Sequence, residues 1–188
     1  MIINKLNLFL KKHYNATQIE EINYVIQASL NDLSKTLILA VLFSTQGYLK
    51  EFIFAAVVVM VLRIFAGGFH LKTYIGCFLF STSNYILIIG LWELTRQYQA
   101  IILYTAIPFA IIFIYLSPML SKEKEQAFNF ESYNKNKLIL IVGLLLLFQG
   151  INKDPIYNIG SLCIIVLSIQ HIIMKGVLTY EKNHQNSH

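Results

Sequence analysis

The feature that most limits this chain is a set of long stretches without a single charged residue. Gln97 to Ser121 runs for 25 residues, and Thr73 to Trp92 and Pro155 to Met174 run for 20 each. A helix needs about 20 apolar residues to cross the hydrocarbon core of a bilayer. Every backbone polar group in lipid must be satisfied within its own segment, so these stretches read as membrane-spanning helices. Three shorter uncharged runs follow: Leu138 to Asn152 with 15 residues, Thr36 to Leu49 with 14 and Phe52 to Leu62 with 11. Runs of about 10 to 14 also suit re-entrant or buried segments. However, Lys35, Lys50, Glu51 and Arg63 stand at the ends of these runs, where long side chains reach the interfaces. Taking all six as spans gives an all-α polytopic membrane protein with about six transmembrane helices. Its composition, 56% hydrophobic and 13% charged, is far from that of an ordinary soluble domain.

Charge placement agrees with six spans. With a cytoplasmic N-terminus, 12 of the 15 Lys and Arg residues fall inside; only Lys50, Arg96 and Lys153 fall outside. This is the expected positive-inside bias. Both termini are then cytoplasmic, and Trp92 falls at the outer interface. The formal charge of +5 is thereby explained by topology. No basic cluster with interleaved aromatics points to nucleic acid. The chain reads as one integral membrane domain over 1–188. Residues 1–33 form cytoplasmic or interfacial N-terminal helices, 34–175 the transmembrane bundle and 176–188 a cytoplasmic tail.

Met1 to Leu10 lacks the continuous apolar core and the small-residue cleavage site of a signal peptide. Ile2, Ile3, Leu6, Phe9 and Leu10 recur at helical spacing, which suits an amphipathic helix on the inner leaflet. A helix packed under the bundle fits equally well. Glu20 to Leu33 continues as a second helical pattern, with Gln27 and Asn31 on one face. Such residues either bond across helices or face solvent. Ser117-Pro118 ends the preceding helix. Ser121 to Lys137 forms the longest polar loop, which is either solvated or a contact surface for a cytoplasmic substrate.

Chemistry concentrates in Arg63 to Cys77, which reads R-I-F-A-G-G-F-H-L-K-T-Y-I-G-C. His70 can act as a base and Cys77 as a nucleophile. On an unbroken helix, residues seven apart share a face but lie roughly 10 Å apart along the axis. A base must come within about 3 to 4 Å of its thiol. The pair therefore requires a break, and Gly67-Gly68 is where glycine's backbone freedom places one. Cys77 then opens the next membrane helix, where the helix N-terminus and a nearby imidazolium favour thiolate. Taken alone, a Cys and a His in a membrane protein are as often packing residues. Cys163 is central to the last uncharged run and reads as packing. His171 lies near the end of that run without an obvious partner. No CxxC spacing supports zinc or redox chemistry, and no phosphate loop, H-E-x-x-H or G-x-S-x-G occurs.

The pattern of Arg63, Gly67-Gly68, His70 and then Cys77 resembles the accessory gene regulator B (AgrB) family. The length, the six spans, the N-terminal helix and the Pro118 loop fit as well. These are membrane cysteine peptidases of Gram-positive bacteria. The resemblance implies that Cys77 is the nucleophile and His70 its base, with Arg63 the family's arginine and Gln27 an amide that orients His70. It implies an AgrD-like propeptide as substrate, cleaved before its acidic tail through a thioester on Cys77. A Cys or Ser of the precursor then closes a thiolactone or lactone ring for quorum sensing. It implies no metal or organic cofactor, a cell-membrane location with the site facing the cytoplasm, contact with membrane lipids, and a homodimer as the form it suggests. The competing class is a non-enzymatic membrane transporter or scaffold, including a peptide exporter. Such a protein would leave the glycine-flanked His70 and Cys77 as coincidence, and the absence of internal repeats and of paired intramembrane charges counts against peptide export.

Overall fold

The computed structural model describes residues 16–67, 73–118 and 135–185. These residues form six α-helices and one short 3₁₀ turn, with no β-strand among them. The helices are α1 (Ala16–Thr45), α2 (Leu49–Ala66), α3 (Tyr74–Thr95), α4 (Gln99–Leu116), α5 (Lys135–Ile151) and α6 (Asn158–Gln185); the 3₁₀ turn Pro155–Tyr157 leads into α6. Met1 to Leu10 and residues 121–134 lie outside the described residues, whereas Lys135 to Lys137, expected to end the polar loop from Ser121, open α5 instead.

The all-α reading holds, and the three longest uncharged runs correspond to the three helices that, among the described residues, are long and apolar enough to cross a membrane. They cover Tyr74–Thr95, Gln99–Leu116 and Pro155–Val177. The run that begins at Gln97 stops being helical at Leu116, because Ser117 is extended (ψ 145°), as the residue before a proline prefers. The other three predicted runs are also helical but do not meet that standard. Helix α2 carries Lys50, Glu51 and Arg63 within its 18 residues, and α5 has only 17.

Two boundaries differ from expectation. The predicted helix at Glu20–Leu33 and the run from Thr36 as far as Thr45 are one helix, α1, and Leu49 at the end of that run already belongs to α2. No Gly or Pro separates them, and the Thr36 hydroxyl donates to the Asp32 carbonyl (2.8 Å) while Lys35 Nζ lies 3.2 Å from Asp32 Oδ1. Helix α6 continues through the predicted tail to Gln185. The chain divides into two compact units, Met1–Leu39 and Ala40–His188.

In the larger unit α6 is the hub, packing against α2, α3, α4 and α5. In its spanning window 67% of the residues are buried, against 22% in α3 and in α4. Its buried residues include Ile159, Leu162, Ile164, Val166 and Leu167. A helix apolar on every side belongs in the middle of a bundle. The outer helices do the reverse. Ile101, Tyr104, Ile107, Ile111 and Tyr115 of α4 are exposed at spacings of three and four, a stripe that lipid, not water, would cover. An aromatic run ties the end of α1 to its neighbours. Phe43 stacks on Phe52 of α2 (5.0 Å), and Phe52 meets Tyr85 of α3 edge-on (5.0 Å).

The turns α3–α4 and α5–α6 are fastened to each other by buried amides. Gln99 Nε2 donates to the Asn152 carbonyl (2.7 Å). Gln149 Nε2 donates to Asn158 Oδ1 (3.1 Å), and the Ser161 hydroxyl donates to Gln149 Oε1. Trp92 Nε1 donates to the Pro155 carbonyl (2.8 Å), and Asn158 Nδ2 to the Arg96 carbonyl (3.3 Å). In a bundle whose surroundings are apolar, such bonds fix one arrangement of helices, because the alternative leaves polar groups unpaired.

Candidate active site

The site begins where α2 stops. Arg63 lies in its last turn. Gly67 caps the helix with φ 75° and ψ −178°, a backbone region that is essentially restricted to glycine. A residue with a Cβ would favour another conformation here, so Gly67 turns the chain out of the helix. The break falls where the glycine pair predicts it, and no continuous helix joins Arg63 to Cys77. Gly68 and His70 lie outside the described residues.

The chain re-enters a helix through Thr73. Its extended backbone (φ −104°, ψ 142°) and its hydroxyl, which accepts from Gly76 N–H at 3.2 Å, make it the N-cap of α3. Such a cap satisfies one of the helix's first donors. The Cys77 N–H then donates to the Thr73 carbonyl (3.0 Å), closing the first turn. Cys77 therefore sits in that first turn, as expected. Its thiol is free and buried, at 7% exposure, whereas Tyr74 and Ile75 just before it are exposed. The nucleophile candidate thus faces protein rather than the surroundings.

The other residues singled out in the sequence fall as follows. Gln27 belongs to α1 within the unit Met1–Leu39. Cys163 is fully buried in the core of the larger unit beside Ile159 and Leu167. This is the environment of an inert packing cysteine. His171 does have partners. Its Nδ1–H donates to the Leu167 carbonyl (2.9 Å), and its ring meets Phe113 edge-on (4.9 Å). Asn84 on α3 pairs with Gln170 on α6, next to His171, and Asn84 is seven residues, roughly 10 Å, further along α3 than Cys77.

Sequence reading passed over Asn84 and Gln170. Gln170 Nε2 donates to Asn84 Oδ1 (2.5 Å), joining α6 to α3 in the neighbourhood of Arg63. The available signal was an amide inside each of two otherwise apolar runs, which in a membrane helix points inward. No group of three or more His, Cys, Asp or Glu able to hold a metal occurs among the described residues. What remains is thiol chemistry next to a glycine-broken turn, with a guanidinium and two amides deeper in the bundle.

Comparison with known proteins bears on this arrangement. The family model described as AgrB, accessory gene regulator B, matches residues 3–174. A putative AgrB-like protein of Clostridium beijerinckii is 28% identical over 169 residues, which cover 88% of this chain and 83% of that protein. No solved structure matches the chain. The family match takes in α2, the glycine break, Cys77 and the hub helix as far as Met174, so the chain belongs to the accessory gene regulator B family.

Proposed function

We infer that this protein is a membrane cysteine endopeptidase that trims an AgrD-like propeptide and cyclises it for quorum sensing. The observation that carries the reading is the placement of Cys77. It is a free thiol in the first turn of a membrane helix, and the preceding helix ends at Gly67, ten residues earlier in the sequence. A packing cysteine such as Cys163 requires no such break. Family membership supports the same reading.

In the proposed reaction His70 takes the Cys77 proton, and the thiolate sulfur attacks the peptide carbonyl before the tail. The C–N bond breaks, and His70 returns the proton to the leaving amine. The N-terminal part of the precursor stays on Cys77 as a thioester. A Cys or Ser side chain within it then attacks that carbonyl. The C–S bond breaks, the thiolactone or lactone closes, and Cys77 regains its proton. Gln27 and Arg63 are assigned supporting roles, Gln27 orienting the His70 ring. The site faces the cytoplasm in a six-span topology, and a homodimer is the form proposed.

The test is co-expression with a candidate precursor peptide that carries an amphipathic segment, a Cys or Ser and an acidic tail, followed by mass measurement of the products. Wild-type protein should yield a cyclic fragment and a free tail. Replacing the precursor's ring-forming residue with Ala should trap a hydroxylamine-sensitive adduct on Cys77. If Cys77→Ala produces the same fragments as wild type, the reading is wrong.

A further inference from the structure

The His171 ring closes one hydrogen bond of the two it can make. It is buried, at 5% exposure, and Phe113 of α4 holds it edge-on. Its bond runs from Nδ1 to the Leu167 carbonyl (2.9 Å). A carbonyl only accepts, so Nδ1 carries the proton and Nε2 of the neutral ring is a bare acceptor. Nε2 is buried and has no partner. The other backbone group that bears on the ring is again a carbonyl, that of Ala66 in the last turn of α2. The neighbouring contacts agree with this placement. Arg63 and Leu167 line one small cavity between α2, α3 and α6, and Ala66 and His171 each stand one turn further on. Ala66 is fully buried, and a carbonyl in the last turn of a helix has no partner within that helix.

Two carbonyls thus face one ring. A neutral imidazole has a single proton, so in either tautomer one carbonyl meets a bare nitrogen; the imidazolium has a proton for each. We propose that His171 is a positioning residue that ties the end of α2 to the hub helix, Nε2–H donating to the Ala66 carbonyl when the ring carries both protons. Gly67 follows Ala66 directly, and His70 comes three residues later, so the tie fixes the point from which the chain leaves α2. A helix C-terminus favours a cation beside it, whereas Arg63 acts on the ring as a like charge. Elsewhere around α6, α4 has no charged residue, α3 has only Glu93 in its last turn, and α5 has Lys135 and Lys137 in its first. Lys175 lies one turn further along α6, and the buried or half-buried titratable groups of α3 are Cys77 and Tyr85. Because the second bond needs the second proton, the tie is present at low pH and lost as pH rises. Its consequence for cleavage rests on the peptidase reading above.

The full chain in phosphatidylcholine nanodiscs tests the tie by nuclear magnetic resonance. Ala66–Gly67 is the one Ala-Gly pair in the sequence, so labelling alanine carbonyls with ¹³C and glycine nitrogens with ¹⁵N yields a single coupled signal from the end of α2. That signal should move between about pH 4 and 8, the range in which histidines titrate. It should stay still in His171→Gln, whose amide keeps one donor at every pH, and in His171→Phe, which keeps the contact with Phe113 and serves where the Gln variant does not fold. Arg63→Gln removes the opposing charge and should shift the midpoint to higher pH. In a second arm the same proteins cleave the candidate precursor peptide across the same range. Titration of His70 and Cys77 is common to wild type and variants, so the ratio of their kcat values isolates His171. A hydrogen bond to a charged group is worth roughly 10- to 100-fold in an equilibrium, and the ratio of wild type to variant should rise by up to that factor as pH falls through the midpoint, with KM little changed.

A residue that only fills space would leave both readouts independent of pH. An Ala66–Gly67 signal that does not move with pH in wild type therefore overturns the proposal, as does movement that persists in both His171 variants. A midpoint that stays or falls in Arg63→Gln assigns the titration to another group and also overturns it. A kcat ratio that is constant with pH removes His171 from the positioning of the site. Cys77→Ala is run alongside. Cleavage by that variant would defeat the peptidase reading itself, a result distinct from failure of the tie, which the carbonyl signal reports without any substrate.

Discussion

Replacing Gly67 with Ala isolates the break on which the site depends. At φ 75° and ψ −178°, any side chain occupies a region that costs roughly 1 to 3 kcal/mol. A cost of about 1.4 kcal/mol is tenfold in an equilibrium constant, so the native turn loses between about 5- and 150-fold against its alternatives. The strain has two outlets. If the turn keeps its shape, the cost appears as a lower unfolding temperature in detergent. If the turn rearranges, stability is regained and the stretch that carries His70 is displaced, so cleavage falls by up to the same factor. Each outlet is measurable, by thermal unfolding and by quantitative mass spectrometry of precursor products. Gly47 is the control. It also has a positive φ, 82°, with open space where a Cβ would sit, and it has no place in the site. Gly47→Ala should cost stability and leave cleavage intact. Wild-type stability together with wild-type cleavage in Gly67→Ala would refute the claim that this residue's conformation builds the site.

Other substitutions separate chemistry from packing. Cys77→Ala should abolish cleavage, whereas Cys163→Ala should cleave normally with a modest loss of stability, since it removes one buried sulfur. His70→Ala should slow cleavage by about 10²- to 10⁴-fold, the usual size of general-base assistance; a rate within a factor of two of wild type would remove His70 from the mechanism. Gln149→Leu strands the Asn158 oxygen and the Ser161 hydroxyl. It should destabilise the bundle by roughly 1 to 3 kcal/mol without altering KM, and a shifted KM would show that this end of the bundle reaches the peptide. For topology, a Cys placed at Lys153 should label from outside the cell and one at Glu123 only after permeabilisation. Equal labelling defeats the six-span arrangement.

How much of this was legible in the sequence depends on how far apart the cooperating residues lie. The α2 break could be read because its cause is local: Gly67 acts through its own φ and ψ. The start of α3 could be read as well, since its cap is Thr73, four residues before Cys77. The fusion of two predicted segments into α1 was missed because the charged pair Asp32 and Lys35 reads as a boundary, although a helix accommodates it at i, i+3. The amide contacts were beyond reach. Gln99 meets Asn152 across 53 positions, and Gln170 meets Asn84 across 86. A run that averages strongly apolar hides a lone amide, and nothing local says which distant amide it will meet.

The two helices that fall short of a span by length or charge still behave at their surfaces like the three that do not. On α2, Leu49, Ile53, Val57, Met60 and Ile64 are exposed, at spacings of four, four, three and four. On α5, Leu140, Leu144, Leu147 and Ile151 repeat this at four, three and four. The α2 stripe runs about 22 Å and the α5 stripe about 16 Å at 1.5 Å per residue, most of the α2 helix and about two thirds of α5, against the roughly 30 Å of a hydrocarbon core. A water-facing helix would interrupt such a stripe with charge. On α2 the charged residues Lys50, Glu51 and Arg63 stand near the two ends instead. Lys50 can reach an interface from there, whereas Arg63 turns to the cavity against Asn84 and Gln170. One charge of the three that disqualify α2 is therefore turned inward, where an arginine in a membrane bundle is a functional group by default. The feature that makes α2 a poor span by composition is the same one to which the proposed function gives a supporting role.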